Sequence, residues 1–218
     1  MPVTTKLKID FVSDIACPWC AVGLGGLEQA LDALQGEVVA DISFHPFELN
    51  PGMPAGGQNG LEHLSQKYGM APAQIRANRD MIRERAASVG VVMNSSDDSR
   101  IYNTFDAHRL LAWAREEGRQ LELKRRLLVL NFTDQADPGD HDALVAAAES
   151  VGLVGAAARA VLESGGYADQ VRSEEALWQS RGINSVPAVV VNDRYLISGG
   201  LPPEEYERQL RLIAAKEA

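Results

Sequence analysis

The sequence predicts an α/β fold in which mixed strands and helices at both ends of the chain enclose a large helical block. Three observations predict it: an apolar, β-branched run over residues 7–12, strand character that returns after residue 187, and helical spacing over most of residues 61–181. Apolar residues at every second position favour strands, whereas recurrence every three to four positions favours helices. The 218 residues suffice for one or two domains with a sizeable core.

The first part of the chain has the order strand, helix, strand. The first strand is predicted over residues 6–13 and the helix over 18–34, with Pro18 at the first helical position, where a missing N–H costs nothing. Gly36 follows as a stop signal. Alternating apolar and polar residues predict the second strand over 38–47.

The chain then changes to helices. A loop rich in glycine and proline covers residues 50–60, and Gly90, Gly118 and Gly152 mark later helix ends. The predicted helices of this block cover residues 61–68, 73–89, 102–117, 121–132, 142–151 and 155–163.

The last part of the chain has the order helix, strand, strand, helix. A helix over 167–181 precedes a hairpin of strands 188–192 and 195–198, and Pro202-Pro203 opens the final helix. The β-α-β start and this α-β-β-α end together make a thioredoxin fold, with a large all-helical domain inserted after the second strand. We expect a discontinuous thioredoxin domain over residues 1–50 and 169–218 and a helical insertion domain over 51–168.

Composition argues against two kinds of partner. The net charge of −9 disfavours nucleic acid, because phosphate backbones bind clustered Lys and Arg. No apolar run approaches the roughly 20 residues that span a bilayer.

Residues 1–8 lack the long apolar run of a signal peptide, so we expect a cytoplasmic protein. In the cytoplasm a cysteine pair is rarely a structural disulfide.

Cys17-Pro18-Trp19-Cys20 is the candidate active site. These are the only cysteines, and they lie between a predicted strand and a predicted helix, whose N-terminus stabilises a thiolate. In such a pair an exposed first cysteine attacks and a buried second cysteine resolves the mixed disulfide, which assigns Cys17 and Cys20 to these steps. The alternatives are an inert pair or a zinc site. The four histidines show no paired ligand spacing, so we expect no metal.

Val186-Pro187 is the second candidate part of the site. It comes directly before the strand 188–192, and X–Pro bonds are where cis peptides occur. A cis Pro187 would turn the backbone of Val186 toward the dithiol, where its N–H and C=O could pair with an extended substrate chain. The alternative is an ordinary trans proline that starts a strand.

The chain resembles the DsbA-like thioredoxin superfamily, and within it the FrnE-type cytoplasmic oxidoreductases. The matching residues are Ser13-Asp14 before the dithiol, Gly23, Asn103-Thr104, Ala107-His108-Arg109-Leu110, Val186-Pro187 and Ser198-Gly199. The resemblance covers essentially the whole chain. It implies a thioredoxin fold with a helical insertion, Cys17 as nucleophile, Cys20 as resolving thiol and Pro187 in cis.

The chain departs from related patterns in two places. Phe11 stands six positions before Cys17, where many thioredoxin-like proteins bury an acidic residue that takes the proton of the resolving thiol. Proton removal from Cys20 therefore needs water or another group, and Asp14 is the nearest candidate in the sequence. Some FrnE-type proteins also carry further cysteines, which this chain lacks.

Four other residues are candidate substrate contacts. Trp19 is either a platform for substrate or a cap over the dithiol. His108 either faces Cys17 from the helical block or is an ordinary hydrogen-bonded helix residue. Ser198 and Gly199 are candidates for holding a glutathione carboxylate through backbone N–H groups. Arg109 is expected to be a structural ion-pair partner.

Three functions compete at this point. The first is a thiol–disulfide oxidoreductase or isomerase that acts on protein or peptide thiols and disulfides. The second is a glutathione-dependent transferase or isomerase of the kappa or hydroxychromene-carboxylate isomerase type, acting on a small molecule. Such enzymes place one hydroxyl at the position of Cys17, so two cysteines argue against it. The third is a binding module that uses the cleft between the domains.

The expected partners follow from these functions. No cofactor is expected to stay bound, and glutathione is the candidate redox partner or cosubstrate. The sequence leaves the oligomeric state open between a monomer and a homodimer.

Overall fold

The computed structural model describes residues 4–217 and has the predicted α/β architecture. No helix within this part of the chain is long and apolar enough to cross a membrane. In chain order, the elements are β1 (Thr5–Ser13), α1 (Pro18–Ala33), β2 (Val38–Pro46), β3 (Gln58–Asn59), α2 (Gly60–Tyr68), α3 (Pro72–Ser88), β4 (Arg100–Ile101), α4 (Phe105–Glu116), α5 (Gln120–Phe132), α6 (His141–Ser150), α7 (Gly155–Ser164), α8 (Ala168–Ser180), β5 (Ala188–Val191), β6 (Tyr195–Ser198) and α9 (Pro203–Glu217).

Four strands form one mixed sheet in the order β2-β1-β5-β6. β1 is parallel to β2 and antiparallel to β5, and β5 is antiparallel to β6. This is the thioredoxin arrangement, so the predicted fold class is confirmed. Val12, near the end of β1, pairs with Ala188, at the start of β5. The loop that carries Cys17 therefore lies beside Pro187, although 170 positions separate these residues in the sequence.

Side chains of β1 alternate between two apolar layers. Leu7, Ile9 and Phe11 are fully buried in the larger cluster, which includes residues of α1 and α9. Val12 points to the opposite layer and packs with Trp178 of α8. Because a strand changes face at each residue, this single strand supplies both layers of the core.

The inserted helices pack against the edge of the sheet and against α1. α3 contacts α1, and both α4 and α5 contact β2. Gln120 at the start of α5 donates to the carbonyl of Phe44 at 2.9 Å and accepts from its N–H at 3.0 Å. A side-chain amide thereby satisfies the backbone of the edge strand β2. The division at residues 51 and 168 stays a prediction.

The sequence pattern does not predict one small element of the insertion. β3 and β4 form a two-stranded sheet of two residues each, and β3 lies within the segment that the sequence predicts as loop. A strand of two residues has no periodicity to detect, so only pairing across the 40 intervening positions defines it.

Two glycines let α1 approach its neighbours closely. A Cβ on Gly26 would lie 2.6 Å from the carbonyl oxygen of Leu201, and one on Gly25 would lie 2.9 Å from the carbonyl oxygen of Val89. Side chains do not tolerate such distances, so the backbone itself forms these contacts. α1 is thereby held between the segment before α9 and the end of α3.

Gly26→Ala is expected to lower the free energy of unfolding by about 1–3 kcal/mol, because the segment around Leu201 must move to accept a methyl group. In an exposed helix the same change raises the free energy of unfolding by roughly 1 kcal/mol. A decrease in Gly26→Ala therefore indicates the close contact with Leu201. Gly52→Ala is the matched control, since a Cβ there meets no atom within 4 Å. Urea unfolding followed by circular dichroism measures both variants. An unchanged or higher stability of Gly26→Ala would contradict the close contact.

Candidate active site

Cys17 occupies the N-cap position of α1, and Pro18 follows at the first helical position. The backbone of Cys17 is extended, with φ −91° and ψ 111°, and its side chain makes no capping hydrogen bond. Its carbonyl accepts the N–H of Cys20 at 3.0 Å. Cys17 therefore lies beside the positive end of the helix dipole.

The two thiols have different surroundings. Cys20 is fully buried, whereas Cys17 is 4% exposed and borders a cleft. The expectation of an exposed Cys17 is thus wrong in degree, because the cleft walls cover most of its surface. Burial raises the pKa of Cys20 well above its usual value, and the neighbouring Cys17 raises it further, against the opposing charge of Lys124. Cys20 is held as a neutral thiol, so its reaction needs a group that favours ionisation.

The Val186-Pro187 peptide bond is cis, which confirms the predicted isomer. Cys17 Sγ lies 3.8 Å from the carbonyl oxygen of Val186. The N–H of Gly199 donates to the carbonyl of Pro187 at 2.9 Å and ties this loop to the end of β6. The backbone of Val186 is thereby presented to the same space that the Cys17 thiol faces.

A cleft of about 440 Å³ opens beside Cys17. This volume lies within the range of small-molecule sites. Its walls come from the dithiol loop, the segment after β2, α2, α3 and the end of α5, and they are mainly apolar. Lys67, Arg79 and Arg100 also line it, and among the described residues no carboxylate does. In a chain with net charge −9, this cleft is suited to apolar groups and negative charge.

Asp14 is a buried carboxylate three positions before Cys17. It contacts four groups that belong to three segments: Thr104 Oγ1 at 2.7 Å, the Leu49 N–H at 2.7 Å, the Ala16 N–H at 3.2 Å and His108 Nε2 at 3.4 Å. Burial by itself raises the pKa of Asp14, but His108 and the hydrogen bonds outweigh it and leave the pKa below its usual value. Asp14 is therefore an ionised anchor and a poor acceptor for the proton of Cys20.

Of two predicted substrate contacts near the dithiol, only one lies at the cleft. Trp19 is half-buried and lines the cleft, as a platform or a cap would. His108 does not line it, because its contact with Asp14 draws the ring inward to a separate small cavity beside Lys124. The assignment of His108 to the cleft is therefore wrong, and the alternative of a hydrogen-bonded helix residue describes it.

Ser198 and Gly199 lie at the end of β6, outside the lining of the cleft. Because the N–H of Gly199 already bonds the Pro187 carbonyl, it is not free to hold a carboxylate. The structure thus places these residues as supports of the Val186-Pro187 loop. Arg109 binds Asp106 and three backbone carbonyls of the α7 region, which confirms its structural role.

Lys124 is a residue of this region that the sequence motifs do not indicate. It is fully buried on α5, although lysine is among the residues least often buried. Burial lowers its pKa to about 8, against the opposing charges of Cys20, Asp14 and Cys17. A signal was present in the sequence: position 124 shares the apolar helix face of Leu123, Leu127 and Leu128.

Comparison with known sequences places the chain among relatives of the same fold. Residues 8–211 match the DSBA-like thioredoxin domain family. The chain belongs to this family. The FrnE-type subgroup stays a prediction.

Individual relatives agree over nearly the full length. A probable DsbA oxidoreductase from Streptomyces coelicolor shares 35% identity and superimposes with a TM-score of 0.88, covering 97% of this chain and 91% of that one. The uncharacterized protein YwbO of Bacillus subtilis (strain 168) is 27% identical over 209 residues, which are 95% of this chain and 96% of YwbO. A 2-hydroxychromene-2-carboxylate isomerase has a TM-score of 0.67 at 14% identity, covering 96% and 94%, which shows the fold alone.

Asp14→Asn is expected to lower the free energy of unfolding at pH 7 by about 1–3 kcal/mol, because its neutral amide accepts fewer hydrogen bonds. The depressed pKa of Asp14 means that the carboxylate stabilises the fold fully above the ordinary pKa of about 4, and that this contribution is lost as the pH falls through the lower folded value. The variant should therefore lose less stability than the parent below about pH 4.

Urea unfolding across an acidic pH series measures this effect. Asp41→Asn is the matched control, because the Asp41 side chain is 67% exposed. The role of Asp14 as an ionised anchor is wrong if parent and Asp14→Asn lose stability equally as the pH falls.

Proposed function

We propose that the chain is a thiol–disulfide oxidoreductase or isomerase that acts on protein or peptide disulfides through Cys17 and Cys20. One observation carries the proposal: a free thiol at the start of α1 lies 3.8 Å from the carbonyl of Val186, directly before a cis proline. A substrate chain that pairs with the backbone of Val186 would bring its sulfur to Cys17 in an extended conformation.

The reaction transfers two electrons between the dithiol and the substrate. The Cys17 thiolate attacks one sulfur of the substrate disulfide, the substrate S–S bond breaks, and the other substrate sulfur leaves as a thiolate that takes up a proton. Cys20 then loses its proton and attacks Cys17 Sγ. The mixed disulfide breaks, the second substrate thiolate leaves, and Cys17 and Cys20 form a disulfide. The reverse sequence oxidises a substrate dithiol.

The cleft supports a substrate that extends beyond the reacting sulfur. Trp19 and the apolar walls offer surface for side chains beside the disulfide. Lys67 and Arg100 favour acidic groups, whereas the charge of Arg79 is paired with Asp97 at 2.9 Å. A glutathione transferase is less well supported, because Cys20 would compete with glutathione for Cys17 and the N–H of Gly199 is occupied. Glutathione or another small thiol remains the proposed electron partner.

Two further properties belong to the proposal. The cytoplasm is the proposed location, which cell fractionation tests. The oligomeric state is proposed as monomer or homodimer, which light scattering distinguishes.

Cys17→Ser is expected to reduce insulin reduction by dithiothreitol to the uncatalysed rate, because no thiolate remains to attack. Cys20→Ser should still attack and should accumulate a mixed disulfide, since nothing resolves it. Turbidity follows the reduction of insulin, and mass spectrometry without reductant detects the trapped species. Thermal unfolding of both variants controls for the fold. If Cys17→Ser keeps the activity of the parent, the proposal fails.

A further inference from the structure

Two cations on the wall of the cleft beside Cys17 have no carboxylate partner in the described part of the chain. They are Lys67, at the end of α2, and Arg100 of β4. The third cation of the wall, Arg79, differs because it pairs with Asp97 at 2.9 Å. The chain has 30 Asp and Glu against 21 Lys and Arg, so a shortage of carboxylates does not explain the two unpaired charges.

Hydrogen bonds fix the ammonium group of Lys67 relative to the dithiol. Its Nζ donates to the carbonyl of Leu49 at 2.9 Å and to Asn50 Oδ1 at 2.7 Å. The N–H of Leu49 in turn donates to Asp14 at 2.7 Å, three positions before Cys17. An ammonium group has three N–H donors, so one remains for a ligand.

The guanidinium of Arg100 is held by the continuation of the same loop. Its Nε and Nη2 donate to the carbonyls of Gly56 and Gly57, both at 2.8 Å. Two of its five N–H donors are used, so three remain for a ligand. Asp137 interacts with Arg100 at longer range but does not line the cleft. Both cations are therefore oriented by neutral oxygens and keep donors that a carboxylate can use.

The apolar part of the cleft lies deeper than the two cations. Ile75 and Met93 line it and are only 3% and 5% exposed, whereas Lys67 and Arg100 are exposed at its opening. His63 also lines the cleft, and burial together with Lys67 lowers its pKa, so it adds no negative charge. A ligand with an apolar part and an acidic group matches both regions, because the first gains from burial and the second from the free donors.

We propose that the cleft takes the arm of a peptide disulfide that is apolar beside its cysteine and carries a carboxylate farther along, with Lys67 and Arg100 as the residues that select the carboxylate. This rests on the proposed function and names its substrate class. The backbone of Val186 pairs with the substrate chain at Cys17, and the cleft receives the side chains that follow. A basic arm is disfavoured, because it would place like charges together.

The proposal adds no chemical step to the exchange. The reduced dithiol gives up two electrons and two protons, the substrate S–S bond breaks, and two substrate thiols leave while Cys17 and Cys20 form a disulfide. One reduced chain therefore reduces one substrate disulfide without a further reductant. The rate of this single turnover reports how well the arm fits the cleft.

Two peptide dimers test the preference for an acidic arm. Each half of the first disulfide dimer is acetyl-Ala-Cys-Leu-Leu-Glu-amide, and in the second Gln replaces Glu, so the sulfur has the same neighbours in both. Chromatography of acid-quenched mixtures gives the second-order rate constant for each dimer. We expect the reduced parent to react about tenfold faster with the Glu dimer at low salt, and this ratio should shrink at high salt, where charges are screened.

Variants assign the preference to the two cations. Lys67→Gln and Arg100→Gln should each lower the ratio of the Glu rate to the Gln rate about threefold, because each removes one charge. Arg100→Lys keeps the charge and should retain most of the ratio. Arg85→Gln is the matched control and should leave the ratio unchanged, since Arg85 is an exposed residue of α3 outside the lining of the cleft. Thermal unfolding of each variant controls for the fold, and Lys67→Gln alone decides if Arg100→Gln does not fold.

A binding measurement tests the cleft without redox chemistry. Calorimetry compares the two monomeric peptides with Ser in place of Cys. The Glu peptide should bind the parent about fivefold more tightly than the Gln peptide, and Lys67→Gln should reduce this difference. The disulfide of mercaptopropionate and its diamide are a second acid and amide pair in the rate assay. A preference for the acid in this pair alone overturns the peptide arm in favour of a small organic acid.

The outcomes separate this inference from the proposed function. A parent that reduces neither dimer contradicts the proposed function, and the serine peptides then decide whether the cleft binds an acidic arm. A parent that reduces both dimers equally overturns the acidic arm and leaves the proposed function intact. A preference for Glu that persists in Lys67→Gln and in Arg100→Gln overturns the assignment to these residues. A preference that falls in both variants and not in Arg85→Gln supports it.

Discussion

The geometry around the dithiol depends on the hydrogen bonds that the buried carboxylate of Asp14 accepts. It lies at the end of β1 and accepts hydrogen bonds from the backbone after β2, from the loop that leads to Cys17 and from Thr104 before α4. A charge without water must be surrounded by donors, so these segments have to meet at one point. The same donors that keep Asp14 ionised fix where α1 begins and where the inserted helices join the sheet.

The sequence predicts the fold and half of the site for identifiable reasons. Strand and helix periods are long enough in β1, α1 and α4 to be detected, and the dithiol and Val186-Pro187 are local motifs. Two predictions are wrong: that His108 lines the cleft, and that the N–H of Gly199 is free to bind a carboxylate. His108 contacts Asp14, and the Gly199 N–H donates to the Pro187 carbonyl, and both partners are distant in sequence. Neither partnership leaves a pattern along the chain.

The interior near Cys20 combines an apolar strand with charge from the inserted helices. Position 11 on β1 holds the apolar side chain of Phe11 and no acidic group. From α5, the positive charge of Lys124 opposes the rise in the pKa of Cys20, but burial and the neighbouring Cys17 outweigh it.

Gln120 and Lys124 lie one helical turn apart on α5. Gln120 is bonded to the backbone of the edge strand, and the Lys124 side chain is fully buried, with its Nζ 5.9 Å from the centre of the Phe44 ring. The inserted helices therefore do more than cover the dithiol, because they also contribute to its electrostatic environment. A lineage that keeps Cys-Pro-Trp-Cys can thus diverge in thiol reactivity by exchanging its inserted helices. The short motif alone then ceases to be a reliable guide to the redox character of a member of this family.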